Sequence, residues 1–93
     1  ALDAVPAGVD RAAVEAYLAA LPGVTEAHDL HIWAMSTTET ALTVHLVRPD
    51  ARIDDAFLDE VAHELAHRFG IHHATIQLET GARACRFAPA HVL

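Results

Sequence analysis

The sequence predicts an α+β fold: a two-layer α-β-β-α-β sandwich in which a three-stranded mixed sheet carries two helices on one face. Three observations predict it. Two stretches carry one apolar stripe each at helical spacing, and three short runs alternate apolar and polar residues with a period of two. The apolar residues of every alternating run fall on even-numbered positions, so each strand has one face to bury. With 93 residues, 53% of them apolar, the chain makes one domain with one small core. Helices stacked on one face of the sheet bury all five stripes at once.

The elements follow in order. Residues 1–8 are an apolar lead-in containing Pro6 and Gly8, read as a linker. Asp10 is a good N-cap, and Val9 and Val14 have the spacing of a hydrophobic staple. Val14, Tyr17, Leu18 and Leu21 continue the helical stripe, and Pro22-Gly23 stops it. Leu30, Ile32 and Ala34 then alternate with His31, Trp33 and Met35. After the polar stretch Ser36 to Glu39, Leu42, Val44 and Leu46 alternate with Thr43, His45 and Val47, and the pair reads as a β-hairpin. Pro49-Asp50 ends it. The second helix repeats the entry design of the first, with Ile53 before a capping Asp54. Its stripe is Leu58, Val61, Leu65 and Phe69, and Gly70 provides a left-handed stop. A last strand covers His73 to Glu79, with Ala74, Ile76 and Leu78 on one face. Residues 9–79 make the folded domain, and residues 80–93, with Cys85 and His91, read as a flexible C-terminal tail.

Composition excludes several functions. Thirteen acidic residues stand against six basic ones, all arginine, for a formal charge of -7. That balance is wrong for nucleic acid, which needs clustered positive charge, and for an anionic membrane surface. The single cysteine rules out an internal disulfide. No apolar run is long enough to span a bilayer, so direct membrane insertion of this segment is not expected. No signal peptide is visible, and the composition is that of a soluble intracellular domain. The unusual feature is eight histidines, whose protonation would carry the formal charge from -7 to +1.

One histidine motif invites an enzymatic reading. His63-Glu64-Leu65-Ala66-His67 matches H-E-x-x-H, the helix of zinc peptidases. On a helical wheel, however, His63 and His67 fall opposite Leu65 and Phe69, among Asp59, Glu60 and Glu64. The motif is therefore placed on a solvated face, and no enzyme activity is expected. His72 and His73, as neighbours, point to opposite sides of a strand and do not chelate one ion together.

The other constellation is dispersed. His45, Gln77 and Glu79 share the sheet face opposite the helices, together with Trp33 and Thr43. His28 has the wrong parity for that face, and joins it only if the chain is irregular or bulged near Asp29. Two imidazoles and a carboxylate suit Zn²⁺, Co²⁺ or Ni²⁺, with a fourth position for water or an outside residue. Unrelated surface histidines remain the alternative on spacing alone.

The stretch Gly23-Val24-Thr25-Glu26-Ala27-His28-Asp29-Leu30-His31-Ile32-Trp33 resembles a segment of the cytoplasmic C-terminal domain of cation diffusion facilitator transporters. Ala41 to Val47, Asp59 to Phe69 and Ala74 to Glu79 resemble that domain's next strand, last helix and last strand. Among bacterial members the likeness is greatest to zinc, cobalt and cadmium resistance efflux proteins. The resemblance implies a metallochaperone-like fold related to ferredoxin-like folds, a homodimer, and metal sites near the dimer interface. It places His28, His45 and Glu79 at ligand positions, with Asp55 and Gln77 as secondary candidates. It also favours an irregular chain at His28. His31, which shares a face with Trp33, is a further candidate, read from its position alone as a ligand or an interface residue. The implied ion is Zn²⁺, with Cd²⁺, Co²⁺ or Ni²⁺ as alternatives.

The expected function is therefore that of a cytosolic metal-sensing and dimerisation domain of a proton-coupled heavy-metal efflux transporter. Its partners would be a second copy and the transporter's transmembrane domain, on the cytoplasmic side of the bacterial inner membrane. A free-standing metallochaperone or metal buffer is the alternative from another class.

Overall fold

The computed structural model describes residues 5–50 and 54–81. Within them the element order is α1 (Arg11–Ala19), β1 (Glu26–Ala34), β2 (Thr40–Val47), α2 (Asp55–Phe69) and β3 (His73–Glu79). The staple residue Ile53, residues 1–4 of the lead-in and the tail residues Cys85 and His91 lie outside the described residues.

Both helices start as their sequences dictate. The Asp10 carboxylate accepts from the Ala13 N–H at 3.1 Å, and the Asp54 carboxylate accepts from the Phe57 N–H at 3.0 Å. Each cap satisfies a donor that the first helical turn leaves open, at a value of about 1 kcal/mol. Gly70 ends α2 at φ +70°, a conformation that glycine adopts without a Cβ clash. The next residue, Ile71, turns its N–H back to the Leu65 carbonyl at 3.0 Å and is fully buried.

The sheet is mixed, with strand order β1-β2-β3. β1 and β2 form the expected antiparallel hairpin, closed by the Met35 N–H donating to the Glu39 carbonyl at 2.7 Å. β3 arrives parallel to β2 after the α2 crossover. Leu30, Ile32, Leu42, Val44 and Leu46 supply the sheet side of the core, and Val14, Leu18, Val61 and Leu65 supply the helix side. The two helices also meet through Tyr17 and Phe69, whose ring centroids are 5.8 Å apart. Burial of each large apolar side chain contributes about 1.5–3 kcal/mol.

The stripe on α2 differs from the sequence expectation in its first turn. Phe57, rather than Leu58, packs against the core. The Arg48 guanidinium lies 4.1 Å from the centroid of the Phe57 ring, so the end of β2 anchors α2 through that ring. Leu58 is half-buried beside it. Two odd-numbered strand residues, Ala41 and Val47, are also buried. Trp33 and His73 flank Ala41 in the neighbouring strands, and Glu26 and Glu79 flank Val47.

The decisive irregularity is in β1. His28 pairs with His45 and His31 pairs with Thr43, so three steps along β1 match two along β2. Asp29 sits in this bulge at φ +55°. One extra residue reverses the parity of the strand. Upstream of it His28 faces the open side of the sheet, while Leu30 and Ile32 downstream remain in the core. Aspartate is among the few residues with a side chain that visit the left-handed region routinely.

Asp29→Val is therefore expected to lower the unfolding free energy by about 1–2 kcal/mol, because a β-branched Cβ clashes in this conformation. Asp29→Gly is expected to lose distinctly less. Urea denaturation of the two variants tests this, and equal losses would assign the effect to the carboxylate instead of the backbone.

Candidate metal centre

Three strands each deliver one side chain to a common point on the open sheet face. The bulge turns His28 to that face, and His45 stands directly across from it on β2. Their rings meet edge to face, with centroids 5.1 Å apart. Glu79, the last residue of β3, pairs with Val47 two positions beyond His45. Its carboxylate lies between the two rings. Oε1 is 2.9 Å from His28 Nε2, and Oε2 is 2.8 Å from His45 Nδ1. The Gln77 amide donates to Oε2 at 3.1 Å.

Burial gives these contacts weight. The Glu79 side chain is 14% exposed, against 31% for His28 and 30% for His45. Partial burial alone would raise the Glu79 pKa. The hydrogen bond and charge of His28, followed by those of His45, outweigh it and hold the carboxyl below its ordinary range. Glu79 is thus a preformed carboxylate with donors on both oxygens. Its charge is stabilised where water is partly excluded.

Asp29 extends the group. Its carboxylate is 3.0 Å from His31 Nε2 and 3.5 Å from His45 Nε2. His45 therefore has a carboxylate oxygen near each ring nitrogen. A neutral imidazole has one N–H, so it donates to one of these and keeps a lone pair on the other nitrogen.

The sequence-predicted residues separate clearly. His28, His45 and Glu79 come together. Gln77 joins them as a hydrogen-bond donor to Glu79. His31 lies on the same face and is held by Asp29. Asp55 is an exposed residue in the first turn of α2 and is not part of the group. His63 and His67 are exposed on α2, and Glu64 between them is 3.8 Å from Arg68. His73 pairs with Glu39 at 3.0 Å at the opposite end of β3. Sequence reasoning used Asp29 only as the place of an irregularity and missed its contacts with two imidazoles. The available signal was an aspartate at a position needing a left-handed backbone.

One ligand atom each from His28, His45 and Glu79 lies within 4.8 Å of the other two. Among the described residues no other three His, Cys, Asp or Glu side chains do this. The donors are two imidazoles and one carboxylate, a set that fits Zn²⁺ and its borderline neighbours. Such ions take nitrogen and oxygen ligands at about 2.0–2.2 Å, so small rotations of partly exposed side chains suffice to close the group around one.

Comparison with known proteins places the chain in a family. Residues 6–81 match the sequence profile described as cation efflux protein, cytoplasmic domain. The metal cation efflux system protein CzcD of Cupriavidus metallidurans is 46% identical over 79 residues, which are 84% of this chain and 25% of that protein. The human proton-coupled zinc antiporter SLC30A2 is 35% identical, over 84% of this chain and 21% of its own length. The chain thus spans a quarter or less of these relatives. The metal-bound C-terminal domain of the C. metallidurans CzcD transporter superposes with a TM-score of 0.68 at 46% identity, covering 76% of this chain and 99% of that one. These relatives are transporters, not enzymes. From the profile match and the shared fold together, the chain belongs to the cation efflux family and corresponds to its cytoplasmic domain.

Proposed function

We propose that residues 9–79 form the metal-sensing and dimerisation unit of a divalent heavy-metal efflux transporter, with residues 1–8 as linker and 80–93 as tail. In this reading the unit is not itself an enzyme. The ion is held by His28, His45 and Glu79, with Zn²⁺ first among the candidates and Cd²⁺, Co²⁺ or Ni²⁺ also suited to the donors. The observation that carries the proposal is the convergence of His28 Nε2 and His45 Nδ1 on the two oxygens of Glu79. Gln77 orients Glu79 by a hydrogen bond, Asp29 reaches His45 with its carboxylate and is itself held by His31, and Asp55 has no part in the site.

The regulatory step follows from charge and from the open sheet face. Glu79 and Asp29 carry negative charge on a face that the other described residues leave uncovered, beside the half-buried Trp33. Two copies meeting through this face repel each other. A divalent ion cancels that local charge and favours the closed dimer. A preference of about 1.4 kcal/mol shifts an open–closed equilibrium tenfold. The full-length relatives support attachment to a transmembrane domain, and the human relative supports proton coupling. The bacterial relatives and the cytoplasmic-domain profile favour the cytoplasmic side of an inner membrane. Among the described residues no helix is long and apolar enough to cross a membrane.

Zn²⁺ titration followed by Trp33 fluorescence and thermal melting tests the ligand set. At one hundred times the dissociation constant, Zn²⁺ should stabilise the wild type by about 2.7 kcal/mol, or roughly 10–20 °C for a chain of this size. His45→Ala and Glu79→Ala should lose most of that gain. An undiminished gain in both variants would move the site elsewhere. Sedimentation of the same samples should show a dimer that tightens with Zn²⁺ in the wild type alone.

The apo protein should also carry an acid signature. Because the folded-state pKa of Glu79 is lowered, its stabilisation is present above the unfolded-state value and is lost as pH falls through the folded-state value. Without metal, the stability difference between wild type and Glu79→Gln should therefore shrink as pH drops below about 4. Urea midpoints from pH 7 to pH 3 measure it, and a difference independent of pH would separate Glu79 from the two imidazoles.

A further inference from the structure

Helix α2 carries a second pair of imidazoles that the sheet-face group does not use. His63 and His67 are exposed and four residues apart in the uninterrupted helix Asp55–Phe69. Residues at this spacing lie one above the other on a single face. Their rings are 5.7 Å apart, centroid to centroid, and 7° from parallel. Two imidazoles bound to one tetrahedral ion at about 2.0–2.1 Å hold their nitrogens about 3.4 Å apart and their centroids roughly 5 Å apart. Rotations of two solvent-exposed side chains close that difference.

The surroundings suit a cation and not a hydrolytic centre. The helix contains Asp55, Asp59, Glu60 and Glu64 against Arg68 alone, so its field attracts positive ions. Glu64 is drawn to Arg68 and lines a groove with Tyr17, Leu21 and Phe57, to which neither histidine contributes. The glutamate that a peptidase would aim at metal-bound water thus faces a different surface from the two imidazoles.

We infer that His63 and His67 form a second, two-ligand site for a borderline divalent cation such as Ni²⁺, Cu²⁺ or Zn²⁺, on the helix layer and separate from the sheet face. Water completes the coordination. With two neutral ligands and no carboxylate in the set, this site binds more weakly than the group of three and fills at higher metal concentration. Protons compete for the same nitrogens, so its occupancy falls on acidification.

The inference stands apart from the sheet-face reading and is tested with that group removed. The full chain carrying His45→Ala and Glu79→Ala is titrated with Ni²⁺ by calorimetry. A remaining binding event is expected, weakened about tenfold or more by adding either His63→Ala or His67→Ala. A positional control combines His63→Ala with Ala62→His. It keeps the number of histidines but sets them five apart, off a common face, and should bind like the single-histidine variants. Unchanged affinity in the alanine variants, or a positional control that binds as well as its parent, would overturn the inference. If the double background does not fold, the same substitutions in the otherwise unaltered chain decide the matter through Ni²⁺-induced broadening of amide signals from residues 59–69. Broadening that persists at α2 without the histidines would also overturn it.

Discussion

One additional residue in β1 determines the side of the sheet on which His28 stands, and the sheet-face group depends on that choice. Strict alternation would place His28 with Leu30 and Ile32, where an imidazole would enter an apolar core without a partner. The bulge at Asp29 spares the core and brings His28 opposite His45. Aspartate serves twice at this point. Its backbone accepts the left-handed conformation, and its carboxylate reaches His31 and His45. Local backbone geometry and the polarity of the open face are thus set by the same residue.

Around that bulge, the sheet acts as a frame with three independently supplied donors. Backbone pairing fixes the registers of β1, β2 and β3, so the relative heights of His28, His45 and Glu79 are set by main-chain bonds and not by loops. Sites carried on regular elements hold their geometry better than sites on mobile connections. The partial burial of Glu79 would be unfavourable alone. It is tolerated because imidazoles and the Gln77 amide surround the carboxylate. The same donors keep it ionised.

Much of the fold can be read from local chemistry. Asp10, Asp54 and Gly70 mark helix ends because each solves a hydrogen-bonding or dihedral problem confined to one turn. The even-numbered apolar residues identify the core face because a strand has a period of two. Long-range packing is less visible. Phe57 displaces Leu58 at the start of α2 because Arg48, from the end of β2, lies over its ring. Ile71 becomes core only because Gly70 turns the chain inward. Within the site, His45, Gln77 and Glu79 follow from parity, whereas His28 needs a bulge that alternation cannot reveal. The family resemblance favoured that irregular chain, and the register locates it. The secondary candidate Asp55 lies away from the group because the first turn of α2 belongs to the helix layer.

The parallel pairing of β2 with β3 has a kinetic consequence. His28 and His45 belong to one hairpin and can approach each other as soon as that local unit forms. Glu79 is 51 residues from His28 along the chain and reaches the sheet only after the α2 crossover is in place. Loop closure over such a separation comes late, because its entropic cost precedes its reward. The carboxylate is therefore the last of the three donors to arrive. A chain still emerging from the ribosome holds two imidazoles without their acidic partner, and the complete group of three becomes a mark of finished folding.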